Sequence, residues 1–404
     1  MPSLVLVGGG HAHVEVLRRL AQAPPTTRPP FTSLTLITPS RTSPYSGMLP
    51  GVIEGLYAPG DALIDVAALA AAVPGGRVLL GTAVSVDTRT RVVSVEEPGS
   101  PPGRARAVPY AVVSFDVGAA PGWGGVPGAV RWATPVKPVA TLLGRVEAVV
   151  EGRGAAAGGC GGGHPVAVVG GGAGGVEVAA AMAVRLKGGV VLVCGGRLLG
   201  GAPARATDAV ARRLGEVGVE VLVGARVVRV ETGGGGGGVV LTLADGGGAT
   251  STLDASACLW CTGAAGPGWL GGGPAPPPLT PGGFLAVNAS MASSDDPASP
   301  LARVFGTGDC AAVVPHPRPK AGVWAVRQGP PLTEALLAAC AGAARPPSFT
   351  PQTRALALLS VGRRSAVGIV PVPGSRAASV VVEGRWVWAW KDWIDRAFVR
   401  RYRV

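Results

Sequence analysis

Gly170, Gly172 and Gly175 follow the apolar run Val166 to Val169 at the spacing G-x-G-x-x-G, and that spacing has a chemistry. In a dinucleotide-binding turn the first glycine makes the tight bend and the second lets the main chain approach a pyrophosphate. The third lets the next helix pack close, while the helix N-terminus offers N–H donors and a positive dipole end. Here the triplet leaves a strand-like run and opens a helical one, the context that separates a nucleotide site from a plain turn. A second turn lies 162 residues upstream, with Gly8 and Gly10 in the first two positions and His13 in the third. His13 fits there if its helix stands slightly farther from the sheet. No cysteine or carboxylate cluster accompanies His11 and His13, so no metal site is expected; packing or a phosphate-facing role is the reading.

The strands that follow both turns lack the acidic residue that usually grips an adenosine ribose. One ends in Thr38-Pro39-Ser40, where hydroxyls would have to substitute, and the other in Cys194-Gly195-Gly196-Arg197. An arginine without a carboxylate suits a 2′-phosphate, so Arg197 predicts that NADPH is accepted at least as well as NADH.

These residues need strands and helices to hold them. Leu4 to Val7, a helical run from Val14 to Leu20 and Leu34 to Ile37 read as strand, helix, strand. The order recurs as Val166 to Val169, a helix from about Gly174 to Leu186, and Val190 to Val193. A helix from Asp208 to Val217 and strands at Val219 to Val223, Val239 to Leu243 and Ala257 to Trp260 continue the second copy. Two copies imply two nucleotide-binding units. The Pro/Gly-rich stretch Gly266 to Pro281 predicts a linker. Beyond it come Val304-Phe305 entering Gly306-Thr307-Gly308-Asp309, a helix over Leu332 to Cys340, short strands at Ser379 to Val382 and Trp386 to Trp390, and a terminal helix from about Lys391.

Bulk properties agree with a multi-domain globular chain: 404 residues, 47% hydrophobic and 15% charged. The 65 glycines are partly motif and partly runs, at 158–163 and 233–238, that predict loop insertions. Of the net charge of +12, +8 falls in the 60 residues from Arg345, and no nucleic-acid signature accompanies it. Nucleic acid is therefore not an expected partner. Six irregularly spaced cysteines form no disulfide framework and point to the cytoplasm or another reducing compartment. The first strand begins at Leu4, so no N-terminal targeting segment is expected, and no apolar run reaches the length of a membrane span.

The motifs also carry a resemblance. Gly8-Gly9-Gly10-His11-Ala12-His13-Val14-Glu15, followed by Pro44-Tyr45-Ser46-Gly47-Met48-Leu49-Pro50-Gly51, resembles the pyridine nucleotide–disulfide oxidoreductase superfamily. Within it the chain is similar to the branch sometimes fused to selenophosphate synthetase; type II NADH:quinone and sulfide:quinone oxidoreductases are more distant relatives. Ser114-Phe115-Asp116-Val117-Gly118, Cys261-Thr262-Gly263, Val304 to Asp309, Lys320 to Gly329 and Asp392 to Arg401 match as well. The resemblance implies that FAD is the cofactor and NAD(P)H the substrate. It places the FAD pyrophosphate on Gly8, Gly10, His11 and Ala12, and Gly308 and Asp309 on the flavin side, Asp309 accepting from a ribityl hydroxyl. Ser46 and Gly47 would lie against the isoalloxazine, Val84 would meet the adenine through its backbone, and Gly118 belongs to the matched set. Lys320 to Gln328 would run as a helix with its N-terminus near the flavin pyrimidine. Glu177 resembles a glutamate close to nicotinamide and flavin and is the candidate catalytic residue.

The implied fold class is α/β: two Rossmann-like, three-layer nucleotide-binding domains and a small α+β C-terminal domain. Residues 1–125 and 282–345 would form a discontinuous FAD domain, 126–281 an inserted NAD(P)H domain, and 346–404 the C-terminal domain with an amphipathic tail. A redox disulfide is not expected, because Arg41 to Gly55, where disulfide reductases of this architecture carry one, has no cysteine. Cys258 and Cys261 are three apart on an apolar strand, so they point to opposite faces. Hydride would then pass from nicotinamide to flavin, and electrons on to a small acceptor such as a quinone. Alternatives are a reductase for a protein or selenium/sulfur partner, or a nucleotide-sensing flavoprotein with slow turnover. Four tryptophans between Trp386 and Trp393, with apolar spacing through Phe398 and nearby arginines, predict peripheral membrane contact.

Overall fold

The computed structural model describes residues 2–24, 29–101, 103–157, 163–233, 238–343, 346–375 and 378–403, of which 153–157 are described by backbone alone. Cys160 and the cores of the glycine runs, 158–162 and 234–237, lie outside the described residues. Two five-stranded, all-parallel sheets organise the chain. In the first, the order is Val304–Gly306, Val112–Phe115, Ser3–Val7, Ser33–Thr38, Gly76–Leu80. In the second it is Thr134–Pro135, Ala257–Trp260, Val166–Val169, Val190–Cys194, Val219–Val223. The first sheet takes an edge strand from beyond the second, so the first unit is discontinuous. Central strands are mostly apolar because both faces are covered, with Thr35 and Ser114 among the buried polar exceptions in the first sheet. Leu4 and Leu6 join one core against helices, while Val5 and Val7 join another against the antiparallel meander Thr82–Asp87, Val92–Glu96, Arg106–Pro109. The second unit repeats this, Val166 and Val168 facing helices and Ala167 and Val169 facing the meander Arg226–Thr232, Val239–Ala244, Thr250–Ala255. Each unit is thus three layers.

The helices that bear on the site are α1 (His11–Ala21), α2 (Leu49–Glu54), α3 (Ala173–Leu186), α4 (Ala204–Glu216), α5 (Gly322–Cys340) and α6 (Arg385–Arg401). α5 crosses α1 at Gly329, where a Cβ would sit 2.6 Å from Glu15 Cβ, so the crossing needs glycine. The C-terminal segment forms the antiparallel sheet Ala357–Ser360, Ala366–Pro371, Ser379–Gly384, on which α6 packs.

Three expectations change. Leu332 to Cys340 is the end of a helix that begins ten residues earlier, at Gly322, and runs through Pro330 and Pro331. Trp386 to Trp390 is helix, not strand. The alternating tryptophans mimic a period of two, but the buried residues of α6 are Val387, Lys391, Asp395 and Val399, four apart. Two of those are charged, so composition hides the helical stripe. The Gly266 to Pro281 stretch is no loose linker either: Leu270 is fully buried and Ala275 O accepts the N–H of Thr88 at 2.8 Å.

Candidate flavin and nicotinamide site

The two glycine turns meet the same geometric demand differently. In the second, a Cβ on Gly175 would stand 1.8 Å from Gly170 O, so only glycine lets α3 approach its strand. In the first, the third position holds His13, whose fully buried ring bridges the turn. Its Nδ1 donates to Gly8 O at 2.7 Å, and its Nε2 lies 2.8 Å from Ser114 Oγ. Burial drives the imidazole down to about 4, so it is neutral and Nε2 accepts the serine proton. His13 is therefore a packing residue that ties the turn to the neighbouring strand.

The middle glycines differ too. Nothing lies within 4 Å of a Cβ built on Gly172, whereas one on Gly10 would reach 2.2 Å from Asp116 Cγ. Asp116 Oδ2 accepts the N–H groups of Ala12 at 2.8 Å and His13 at 3.2 Å, capping α1. Burial pushes this carboxyl up to about 6, with His11 and the two N–H groups holding it down and Asp309 raising it. Gly10 is thus glycine because the Asp116 carboxylate lies where a Cβ would be.

Other elements close around this point. Gly308 has φ +64°, and a Cβ there would lie 2.3 Å from Asp116 Oδ1. Its N–H donates to Gln328 Oε1 at 2.8 Å, so Gln328 positions the Gly308 turn. Asp309 pairs with Lys137 Nζ at 2.8 Å, across the connection into the second unit. Lys320 precedes α5; its ammonium donates to Ala311 O and stands 4.1 Å from the Phe284 ring centroid, and burial lowers its pKa. Ser46 and Gly47 form a short turn before α2, and a Cβ on Gly322 would come within 3.4 Å of Ser46 Oγ and 3.9 Å of His11. The His11 ring meets Tyr45 edge-on at 5.4 Å, and Tyr45 stacks on Phe398 at 4.5 Å. Val84 occupies a β-bulge between Ala83 and Ser85, which frees its backbone from the ladder. Gly118, at φ +72°, faces open space.

Glu177 belongs to a different cluster. It lies on the side of α3 facing the C-terminal sheet, where Oε1 accepts the N–H of Ser360 at 3.0 Å. Burial raises its pKa, opposed by Lys391 and by the Ser360 hydrogen bond. Lys391 is buried, ion-pairs Asp395 at 2.6 Å and donates to Gly47 O at 2.6 Å. Tyr45 donates to Asp395 at 3.0 Å, and Tyr57 to Asp392 at 2.6 Å. The segment Tyr45 to Gly47 therefore joins the Glu177 cluster to the α1 cluster. In the second unit Arg197 is exposed beyond Val190–Cys194, and Arg226 stands beside Gly195. Cys258 and Cys261 are free thiols raised by burial, Cys258 to about 12, and the Cys261 main chain covers Gly170.

The structure thus gathers Gly8, Gly10, His11, Ala12, Ser46, Gly47, Gly308, Asp309, Lys320 and Gln328 near one helix start. It sets Glu177 in a neighbouring cluster, Val84 on the meander, and Gly170, Gly172, Gly175 and Arg197 in the second unit. Sequence reasoning missed Lys137, Thr307, Lys391, Asp395 and Arg226 as site residues. Thr307 and Asp395 lie inside matched motifs; Lys391 carried no signal, since buried lysines are rare.

Residues 2–329 match the sequence profile of the pyridine nucleotide-disulphide oxidoreductase family. The chain belongs to that family. No curated protein matches it. Solved structures similar to it include a sulfide:quinone oxidoreductase from the hyperthermophilic bacterium Aquifex aeolicus, at 16% identity and TM-score 0.76, covering 100% of this chain and 92% of that one. NDH2 from Plasmodium falciparum, solved with NADH, is 13% identical at TM-score 0.73 over 99% and 97% of the two chains. An NAD-dependent persulfide reductase from A. fulgidus is 18% identical at TM-score 0.69, covering 92% of this chain and 64% of that one. As a member of this family the oxidoreductase is an FAD flavoprotein with NAD(P)H as its reductant. Its residues fit an FAD: His11 Nε2 and Thr307 Oγ1 are buried without a partner beside a helix N-terminus. No helix among the described residues is long and apolar enough to cross a membrane.

Proposed function

We propose that this flavoprotein passes electrons from NAD(P)H through FAD to a quinone or similar small acceptor, without a redox disulfide. Residues 1–125 and 282–345 hold the flavin, 126–281 the nicotinamide nucleotide, and 346–404 close the acceptor side. FAD supplies the hydride acceptor and two-electron store; the chain binds, orients and moves protons. Gly8, His11, Ala12, Thr307, Gly308 and Asp309 bind the flavin nucleotide, with Val84 and Gly118 toward its adenosine end. Gly170, Gly172, Gly175 and Arg197 bind the nicotinamide nucleotide.

The observation that carries the acceptor reading is what stands where a dithiol would. The 44–50 segment has no cysteine, and its Gly47 carbonyl is instead held by Lys391 within a buried acid–base cluster of Lys391, Asp395, Tyr45 and Glu177. Reducing a quinone to a quinol takes two electrons and two protons, so a hydride equivalent leaves one proton to be supplied. Glu177, whose burial favours the protonated carboxyl, is the donor in this reading. The exposed face of α6 supports an acceptor drawn from a membrane. Trp386 and Trp393 are 59% and 64% exposed, seven residues apart on one side, with Arg385, Arg396 and Arg400 also exposed.

Stopped-flow reduction by NADH and NADPH, followed by reoxidation with a quinone panel, tests the proposal. Rapid reduction and rapid quinone reoxidation are expected. Rapid reoxidation only by persulfides or selenium compounds would move the assignment to a sulfur or selenium reductase. Reduction with no fast acceptor would favour a nucleotide sensor.

A further inference from the structure

Asp116 puts a carboxylate, 3% exposed, on the start of α1, where it accepts two main-chain N–H groups. Those donors and that dipole end are what an anionic phosphate uses. The carboxylate is also wedged between Gly10 and Gly308, both of which approach closer than any Cβ would allow. A fixed negative charge and a pyrophosphate at one helix end repel each other, with little water to screen them. Among the described residues no free cation stands beside it. Lys137 is engaged with Asp309, and Lys320 with Ala311 O and the Phe284 ring. The other groups facing Asp116 are His11 and His13 on α1 and Asp309 and Cys310 in the Gly308 turn. Burial lowers the pKa of both histidines, so they are poor proton acceptors, and Asp309 adds negative charge.

We propose that Asp116 takes up one proton when FAD docks, so that the cofactor site is completed around a neutral carboxylic acid and loading is tighter at lower pH. The proposal rests on FAD occupying the first glycine turn. The proton comes from solvent, and no electron moves. As an acid, Asp116 still accepts the Ala12 and His13 N–H groups through its carbonyl oxygen and gains an O–H that can donate to a phosphate oxygen. The sign follows from linkage. In the FAD-free chain the carboxyl titrates at about 6, and an adjacent phosphate raises it further. Between those two values each pH unit upward weakens FAD binding about tenfold, and below the lower value binding is flat.

Holoenzyme is equilibrated in dilution at pH values from about 5.5 to about 8.5, and released flavin is read by fluorescence. The wild type is expected to lose affinity about tenfold per unit over part of this range, while Asp116→Asn, whose amide oxygen can accept the same N–H groups, shows no such slope. Infrared spectra of neutral holoenzyme should show a protonated-carboxyl band that the variant lacks. A wild-type affinity independent of pH, an Asn variant with the wild-type slope, or no carboxylic-acid band overturns the proposal. If Asp116→Asn does not fold, the wild-type slope still decides. A wild type that binds no FAD at any pH overturns the FAD assignment as well, which separates the two failures.

Discussion

Replacing Lys391 by Met tests whether α6 is held by charge at the flavin segment. The side chain keeps its length but loses the ammonium that pairs Asp395 at 2.6 Å, donates to Gly47 O at 2.6 Å and offsets Glu177. The side chains of Lys391 and Asp395 are 10% and 6% exposed, so the pair is buried. Removing one partner of a buried pair costs about 3–5 kcal/mol, because the other charge is left uncompensated. With a urea slope near the upper end of the usual range, about 3 kcal/mol per molar, the midpoint falls by about 1 to 1.7 M. The four tryptophans of α6 report the transition by fluorescence. The pH dependence is the sharper part. Burial already raises the Glu177 carboxyl, and losing Lys391 raises it further. A carboxyl raised above its unfolded value stabilises the folded chain at low pH and loses that contribution as pH rises through the folded pKa. The deficit should therefore be full near pH 8 and smaller near pH 5, and Asp395→Asn in the same chain should restore part of it. A midpoint shift below about 0.3 M, or the same shift at both pH values, would refute the reasoning.

Gly175→Ala places a Cβ 1.8 Å from Gly170 O, so α3 must move; overpacking of about 1–3 kcal/mol implies roughly 5- to 150-fold weaker NAD(P)H binding with FAD content unchanged. Unaltered nicotinamide affinity would count against that turn as the site. Arg197→Ala should weaken NADPH about tenfold, the lower end for a hydrogen bond to a charged group, while leaving NADH equal or better. Steady-state KM values for both nucleotides decide, and unchanged NADPH kinetics would reject the 2′-phosphate role. Trp386→Ser with Trp393→Ser should abolish co-sedimentation with anionic liposomes without loosening α6, because both side chains are exposed. An intact protein that ignores such liposomes rejects the membrane contact.

Much of the fold was legible because its signals are local. The runs Val166 to Val169 and Leu4 to Val7 are apolar at every position, as strands covered on both faces must be, and each enters a glycine turn. Gly175 could be read as a close-packing glycine from spacing alone, and the carbonyl beneath it bears that out. α6 could not be read so. Its buried stripe includes Lys391 and Asp395, whose partners Gly47, Tyr45 and Glu177 lie more than 200 residues away along the chain, so apolar spacing alone does not mark them.

By itself the sequence determined that two glycine turns stand between strands and helices and that no cysteine pair follows the first, which follow from residue type and spacing over a few turns of chain; the flavin came from the resemblance those motifs carry. Only the tertiary structure decided that His13 closes its turn by bridging Gly8 and Ser114, that Asp116 occupies the helix end beside Gly10, and that Lys391 links Glu177 to the 44–50 segment. Each is a polar group made tolerable by partners from distant parts of the chain, and a buried charge shows its purpose only once its neighbours are in place.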